Sequence, residues 1–234
     1  MRLRRPDGGP LRVGHRGAAL LGPENSLAAV EAALAAGVDA VEIDVVPRDG
    51  RLVIAHSRGV WNDVSPGVDE TLALLADADV LVVLDVKRPG LETDVVAALD
   101  RHGLVGRALV TSWFGRTLRA VRRLEPELTI GLAYPYDRTG YAERVVPAPV
   151  VRTALGAMRR ALPARIGRML RRSGADAAVL HHLVLSPSLV ARCRARDAAV
   201  LAWTVNDDAA LRRVAALDVD GVITDDPRIF HPAA

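Results

Sequence analysis

Eight short apolar runs recur along the 234-residue chain, with stretches of helical spacing rich in Ala, Leu and Arg between them. Strands this uniformly apolar are buried on both faces, as in a parallel sheet covered by helices. Eight strand–helix units in a chain of this length predict an α/β fold, a closed (β/α)8 TIM barrel, with an open doubly wound sheet as the structural alternative. The runs are residues 11–15, 39–45, 80–86, 107–112, 129–134, 176–181, 199–205 and 220–225.

We interpret residues 1–234 as one barrel domain with two departures from a plain strand–helix alternation. The first is a short cap and hairpin region at 46–79. Its "PRDGR" stretch predicts a tight turn because Asp-Gly tolerates positive φ. The predicted hairpin would return His56 to the mouth of the barrel.

The second departure is a basic helical insertion at 135–174. Between Glu143 and Asp176 the chain carries eight arginines and no acidic residue. Apolar residues up to Leu162 share one helical face, and a second helix is expected after Pro163. Such helices can lie on an anionic membrane surface, although most are ordinary solvated outer helices. We therefore keep two hypotheses for this segment: peripheral membrane contact through 151–172, and ordinary solvated helices on the outside of the barrel.

Composition narrows the classes of partner and location. The formal net charge is +3, and Lys87 is the only lysine among 31 basic residues. Aromatic residues are too few to form a stacking platform for single strands, so phosphate in a small molecule or lipid headgroup is favoured over nucleic acid. A single cysteine, Cys193, excludes an intrachain disulfide and a Cys-based zinc site. No apolar run reaches the roughly 18 residues of a membrane span, so we expect a cytoplasmic protein.

Acidic residues end two neighbouring strands, at the edge where the active face of a parallel barrel forms. Glu42 and Asp44 are one residue apart, so both side chains project to the same side of their strand. Asp85 and Lys87 repeat that spacing on the next strand. Three converging carboxylates repel each other unless positive charge lies among them, and an all-oxygen set favours Ca²⁺ or Mg²⁺ over zinc. The alternative is a purely structural network with Arg16 and Lys87.

Two histidines, His15 and His56, fall at strand ends beside this predicted metal site. Their side chains titrate near neutrality, so one can accept a proton while the other donates one. Arg16 and Lys87 can contact phosphate oxygens, and together these residues favour phosphoryl chemistry. The chain has no phosphate-binding loop ending in Gly-Lys-Ser/Thr, no dinucleotide fingerprint after the first strand and no Gly-x-Ser-x-Gly nucleophile elbow.

Seven short sequence motifs occur in the same order as in a known enzyme family. The sequence resembles the glycerophosphodiester phosphodiesterase family through almost its whole length. Seven motifs in the same order are far more specific than any one of them. They are "GHRG" at 14–17, "PENS" at 23–26, "EIDV" at 42–45, "DGRLVIAH" at 49–56, "LDVK" at 84–87, "WTVND" at 203–207 and "GVITDDP" at 221–227.

The resemblance implies a TIM-barrel enzyme that uses a divalent cation, Ca²⁺ or Mg²⁺, to cleave glycerophosphodiesters to an alcohol and glycerol 3-phosphate. Transferred by motif, the implied roles cover both histidines and seven further residues. They are acid/base catalysis by His15 and His56, metal binding by Glu42, Asp44 and Asp85, and substrate binding by Arg16, Glu24, Lys87 and Trp203.

The chain departs from the family pattern at three places. Asp85 stands where the family usually has glutamate, and Ser57 follows His56 in place of an aspartate. About two dozen residues separate His56 from the next predicted barrel strand, so the cap should be small and the cleft open. The departures leave two alternatives: a lysophospholipase D-like activity on membrane lipids, and a catalytically silent barrel that only binds phosphorylated ligands.

Overall fold

The structure, a computed structural model, describes residues 3–56, 65–135 and 148–230. Eight parallel strands form a closed ring, because the first strand pairs with both the second and the last. The predicted (β/α)8 barrel is confirmed, and the open sheet is excluded. The strands of the ring are β1 Leu11–Gly14, β2 Ala40–Arg48, β4 Leu81–Val86, β5 Ala108–Ser112, β6 Thr129–Tyr134, β7 Ala177–His181, β8 Ala199–Trp203 and β9 Gly221–Thr224.

Helices cover the outside of the ring and connect its strands. The α-helices are α1 Leu27–Ala35, α2 Val68–Ala76, α3 Glu92–Arg101, α4 Gly115–Leu124, α5 Ala148–Ser173, α6 Pro187–Arg194 and α7 Asp208–Ala215. Short 3-10 turns lie at Val105–Arg107, His182–Val184 and Pro227–Phe230. Helix α1 is capped by Ser26, whose side chain accepts a hydrogen bond from the amide of Ala29 at 3.1 Å.

Alternation along each strand divides the apolar residues into two cores. One set of side chains faces helices and forms the large outer core, as with Ile43 and Leu84. The other set fills the barrel interior, including Val13, Val83 and Ile223. Because side chains on a strand alternate between faces, the polar residues at the strand ends continue the interior column. The fold therefore places the predicted site directly above the apolar side chains that fill the barrel interior.

The predicted hairpin after the second barrel strand is confirmed. Strand β3, Arg51–Ile54, runs antiparallel to the end of β2, with Arg48 opposite Arg51. The two residues between them have positive φ, 47° at Asp49 and 76° at Gly50, as a two-residue hairpin turn requires. Part of the predicted cap, residues 57–64 with Ser57, lies outside the described residues.

The basic insertion differs from the expectation at one point. A second helix was predicted after Pro163, but α5 is continuous from Ala148 to Ser173 with Pro163 inside it. A proline removes one backbone donor from a helix. Buried side chains on both sides of it, Leu162 and Ile166, anchor the two halves to the same core, which explains why the helix continues. Residues 136–147 of the insertion lie outside the described part of the chain.

Within the described ranges, no helix combines the length and the apolar character that crossing a membrane requires.

Candidate active site

Three carboxylates meet at the carboxyl-terminal mouth of the barrel. Glu42 and Asp44 lie on β2 and Asp85 on β4, with Asp44 and Asp85 directly opposite in the strand register. All three are buried, and one oxygen from each lies within 4.8 Å of the others. The period-two spacing of the sequence thus brings together the three residues predicted to bind a metal.

Asp44 is the centre of the hydrogen-bond and ion-pair network. Its Oδ2 atom lies 3.0 Å from His56 Nδ1 and 3.2 Å from Arg16 Nε, and it accepts a hydrogen bond of 3.0 Å from Asn25 Nδ2. Its Oδ1 atom lies 2.6 Å from Lys87 Nζ. However, no donor in the described residues reaches that oxygen with hydrogen-bond geometry. Lys87 therefore neutralises this buried oxygen as an ion pair without an aligned hydrogen bond.

The positive charges around the cluster do not fully offset its buried carboxylates. Burial and then the neighbouring Asp44 raise the pKa of Glu42 well above its ordinary value. For Asp44, burial also acts to raise the pKa, but Lys87, His56 and Arg16 outweigh it and the pKa falls well below normal. A divalent cation among these oxygens would relieve the unfavourable charge on Glu42. The donor set fits a hard cation, because all three side chains offer carboxylate oxygen.

Lys87 is buried among the carboxylates that are predicted to bind the metal. Its ammonium group hydrogen-bonds Asp85 and pairs with Asp44, and it lies 4.8 Å from the centre of the Trp113 ring. Burial acts to lower the pKa of Lys87, but the three carboxylates raise it above the ordinary lysine value. The other oxygen of Asp85 accepts a hydrogen bond of 2.9 Å from Thr111 Oγ1. Both oxygens of Asp85 are thus held in place.

The "GHRG" motif shapes the loop that carries Arg16. A Cβ atom on Gly14 would lie 2.2 Å from the carbonyl oxygen of Gly17, and one on Gly17 would lie 2.5 Å from the backbone of Ala29. Both positions therefore require glycine. Arg16 itself has a φ of 52°, and its amide donates a hydrogen bond of 2.8 Å to Glu42 Oε2.

The Arg16 guanidinium lies between two acids. It hydrogen-bonds Glu24 of the "PENS" motif and pairs with Asp44. Glu24 therefore reaches the site through Arg16, and its own side chain is one-third exposed. The same motif places Asn25, whose side chain bonds Asp44 twice: Nδ2 donates to Oδ2, and Oδ1 accepts the Asp44 amide, both at 3.0 Å.

His15 is held by an aspartate from the other end of the chain. Its Nδ1 atom lies 2.6 Å from Asp225 Oδ1, while Nε2 lies 3.9 Å from Glu42 Oε2. Burial acts to raise the pKa of Asp225, but His15, Asn206 and Arg16 together outweigh it and the pKa is lowered. Asn206 Nδ2 donates to the second oxygen of Asp225 at 2.5 Å.

Trp203 ends β8 beside the histidine that ends β7. The His181 and Trp203 rings meet edge to face with centroids 5.2 Å apart, and the indole nitrogen donates a hydrogen bond of 3.1 Å to the Val179 carbonyl. The tryptophan is thus held in place on the side of the mouth opposite β2 and β4. Burial, then His182, lowers the pKa of His181 to about 4, so this histidine is neutral near pH 7.

The structure brings seven of the nine predicted site residues into one contact network, and Glu24 joins it through Arg16. Trp203 stands apart, on the wall formed by β7 and β8. Sequence reasoning assigned no role to four residues that hold the network: Asn25, Thr111, Asn206 and Asp225. Asn25 lies in the "PENS" motif beside the helix cap, Ser26. Asn206 lies in the "WTVND" motif and Asp225 in the "GVITDDP" motif, and these motifs were the signal available for them.

Comparison with known proteins identifies the family. The sequence profile of the glycerophosphoryl diester phosphodiesterase family matches residues 15–88 and 80–229. The chain belongs to this family. A glycerophosphodiester phosphodiesterase from Caldanaerobacter subterraneus subsp. tengcongensis is 26% identical over 254 residues, covering 93% of this chain and 94% of the relative.

Solved structures of similar fold support the same architecture. A Silicibacter pomeroyi protein provisionally described as a glycerophosphoryl diester phosphodiesterase superposes with a TM-score of 0.77 at 24% identity, covering 97% of this chain and 93% of the other. An Oleispira antarctica phosphodiesterase in complex with the product sn-glycerol-3-phosphate has a TM-score of 0.72 at 21% identity and 95% coverage of both chains.

Family membership confirms the predicted class of activity. The chain is a phosphoric diester hydrolase of the glycerophosphodiester phosphodiesterase type, and its buried acidic cluster fits the divalent metal that the sequence predicted.

Proposed function

We propose that this glycerophosphodiester phosphodiesterase cleaves its substrate to an alcohol and glycerol 3-phosphate with His15 and His56 as the acid/base pair. The observation that carries the proposal is that both rings border the same acidic cluster and each hydrogen-bonds a carboxylate through Nδ1. An ionised carboxylate can only accept, so each Nδ1 is the protonated nitrogen and each Nε2 is available for proton transfer.

The proposed metal ligands are Glu42, Asp44 and Asp85, which would hold Ca²⁺ or Mg²⁺. When bound, such a cation neutralises phosphate charge and polarises the phosphoryl group. The chain's own cations act beside it: Arg16, anchored by Glu24 and Asp44, and Lys87 are the proposed contacts for phosphate oxygens. Trp203 is proposed to wall the pocket for the glycerol or headgroup carbons.

We propose that residues 1–234 form one catalytic domain with an open cleft. Only 24 residues separate His56 from Leu81, the first residue of β4, and α2 occupies part of them. A short cap suits small glycerophosphodiesters and leaves the cleft open to larger headgroups.

The test is a panel of glycerophosphodiesters carrying choline, ethanolamine or glycerol, assayed with Ca²⁺, Mg²⁺ or EDTA. We expect release of glycerol 3-phosphate that requires the cation. His15→Ala and His56→Ala should each lower turnover by about 10²-fold or more, since positioned acid/base groups typically contribute that much. His102→Ala is the matched control, because His102 lies outside the site and pairs with Asp69. Normal turnover in both site variants would contradict the assignment.

We also propose a second substrate class, lysolipids, reached by peripheral membrane contact through residues 151–172. Seven arginines of α5 project from the helix, at 152, 159, 160, 165, 168, 171 and 172. None of their guanidinium groups forms an ion pair with another described residue. Val150, at the start of this helix, is 55% exposed. Unpaired arginines beside an exposed apolar side chain suit an anionic bilayer.

Vesicle sedimentation tests this contact. We expect retention by vesicles containing anionic phosphatidylserine, none by phosphatidylcholine alone, and release by high salt. Arg159→Gln with Arg160→Gln should weaken retention. The control pair, Arg51→Gln with Arg88→Gln, removes the same charge elsewhere and should not. Absence of retention together with absence of lysolipid cleavage would reject this second candidate.

A further inference from the structure

The closure of the barrel creates a hydrogen-bonded chain of three side chains that ends on His15. Asp225 Oδ1 faces His15 Nδ1 at 2.6 Å, and Asp225 Oδ2 accepts from Asn206 Nδ2 at 2.5 Å. Asn206 Oδ1 in turn accepts the Asp225 amide at 2.9 Å and the Thr224 hydroxyl at 3.2 Å. The donor and acceptor ends of the Asn206 amide are therefore both committed, which fixes its orientation.

Backbone hydrogen bonds also hold the loops that carry His15 and Asp225. The amide of His15 donates to the Thr224 carbonyl at 2.7 Å, and the amide of Leu20 donates to the Asp225 carbonyl at 2.9 Å. The loops after β1 and β9 are thus joined directly at the seam where the first and last strands pair. A residue in this position has little freedom to turn away from His15.

We propose that Asp225, held by Asn206, is the positioning residue that fixes the tautomer and the orientation of His15. The inference rests on the proposed role of His15 in proton transfer. Because the carboxylate accepts the Nδ1 proton, the neutral ring presents an unprotonated Nε2 toward the acidic cluster. Neither Asp225 nor Asn206 acts on substrate directly in this account.

The fixed orientation of Asn206 makes the proposal unusually testable. In Asp225→Asn, the new amide must offer an oxygen to the Asn206 Nδ2 donor, so its own amide nitrogen turns toward His15 Nδ1. That donor forces the opposite tautomer, with the ring proton on Nε2. In the exchanged double variant, Asp225→Asn with Asn206→Asp, the carboxylate at 206 accepts the amide nitrogen of residue 225. The amide oxygen then faces His15 again and restores the original tautomer.

The experiment measures kinetics and the ring tautomer in parallel. Nitrogen-15 NMR of histidine-labelled protein reports which ring nitrogen of His15 carries the proton, and it can be read without cation or substrate. We expect Asp225→Asn to invert the tautomer and to lower kcat by about 10²-fold or more with KM nearly unchanged. The exchanged double variant should regain the tautomer and at least tenfold of the lost kcat.

The matched control is Asp226→Asn, which removes the adjacent carboxylate. Asp226 pairs with the exposed Arg228 and does not touch His15, so its loss should leave tautomer and kcat unchanged. Thermal unfolding of each variant separates loss of fold from loss of positioning.

An unchanged His15 tautomer in folded Asp225→Asn would overturn the proposal, as would a double variant no more active than the single one. Failure of the proposed function is distinguishable, because a wild-type protein that cleaves no diester could still show the predicted tautomers.

Discussion

Asn25 offers the sharpest test of how the acidic cluster is supported. Its side chain is 4% exposed, and it makes two hydrogen bonds of 3.0 Å to Asp44, one of them to the carboxylate. Its φ of 52° is in the left-handed region. Asn25→Gly removes the side chain but accepts the backbone angle. Asn25→Ala removes the side chain and also forces a Cβ into that angle.

The expected costs follow from these two features. A hydrogen bond to a charged group contributes about 1.5–3 kcal/mol, and the buried amide of Asp44 left without a partner costs about 1–3 kcal/mol. We therefore expect Asn25→Gly to lower the free energy of unfolding by about 3 kcal/mol. Asn25→Ala should cost roughly 1 kcal/mol more, from left-handed strain partly offset by the lower entropy of the unfolded alanine chain.

Urea unfolding in EDTA measures both variants without stabilisation by bound cation. Ser26→Ala is the control, because it removes the helix cap next to Asn25 and should cost only about 1 kcal/mol. A loss in Asn25→Gly no larger than in Ser26→Ala would refute the energetic role of the network. Equal losses in the glycine and alanine variants would refute the backbone strain.

Three further predictions concern single features of the site. Lys87→Met should abolish most turnover yet tighten cation binding at least tenfold in isothermal titration, because the ammonium competes for the same carboxylates; unchanged or weaker binding would contradict this. Gly17→Ala should prevent stable folding in circular dichroism, since its Cβ would lie 2.5 Å from backbone atoms. His181, with its pKa lowered to about 4, takes up a proton when unfolded but not when folded between pH 6.5 and 4. Stability should therefore fall as pH drops through that window, by up to about 3 kcal/mol, and His181→Gln should flatten that part of the stability–pH curve.

The fold was predictable because its signal is periodic and local. Eight apolar runs buried on both faces leave few architectures, and the Asp-Gly turn after β2 predicts its own hairpin. The continuous α5 was not predictable from Pro163, because the break that proline favours is opposed by tertiary packing of Leu162 and Ile166.

The site was predictable to the extent that strand alternation fixes direction. Glu42, Asp44 and Asp85 lie on adjacent strands, so their convergence follows from register. Asp225 is 210 residues from His15 and meets it only because the ring closes. A closed barrel places the ends of its first and last strands side by side, but the sequence pattern does not state which polar side chains meet there.

The charges at the site lead to a prediction about the order of binding. Four acids, the three of the cluster and Glu24, face two cations, Arg16 and Lys87, so the site carries a formal charge of −2, or −1 while Glu42 keeps its proton. A phosphodiester is also an anion, and such a site does not attract it. A divalent cation that displaces the Glu42 proton brings the local charge to zero. Substrate binding, and not only chemistry, should therefore require the cation.

Thermodynamic reciprocity makes this measurable without turnover. If the cation strengthens the binding of a phosphate ligand by some factor, that ligand strengthens cation binding by the same factor. We expect glycerol 3-phosphate to tighten Ca²⁺ or Mg²⁺ binding at least tenfold in isothermal titration, and cation binding to release a proton. This proton release on cation binding should be absent in Glu42→Gln. Equal cation affinity with and without glycerol 3-phosphate would mean that the carboxylates and the phosphate site are electrostatically independent, contrary to the ion pairs that Arg16 and Lys87, the proposed phosphate contacts, form with Asp44.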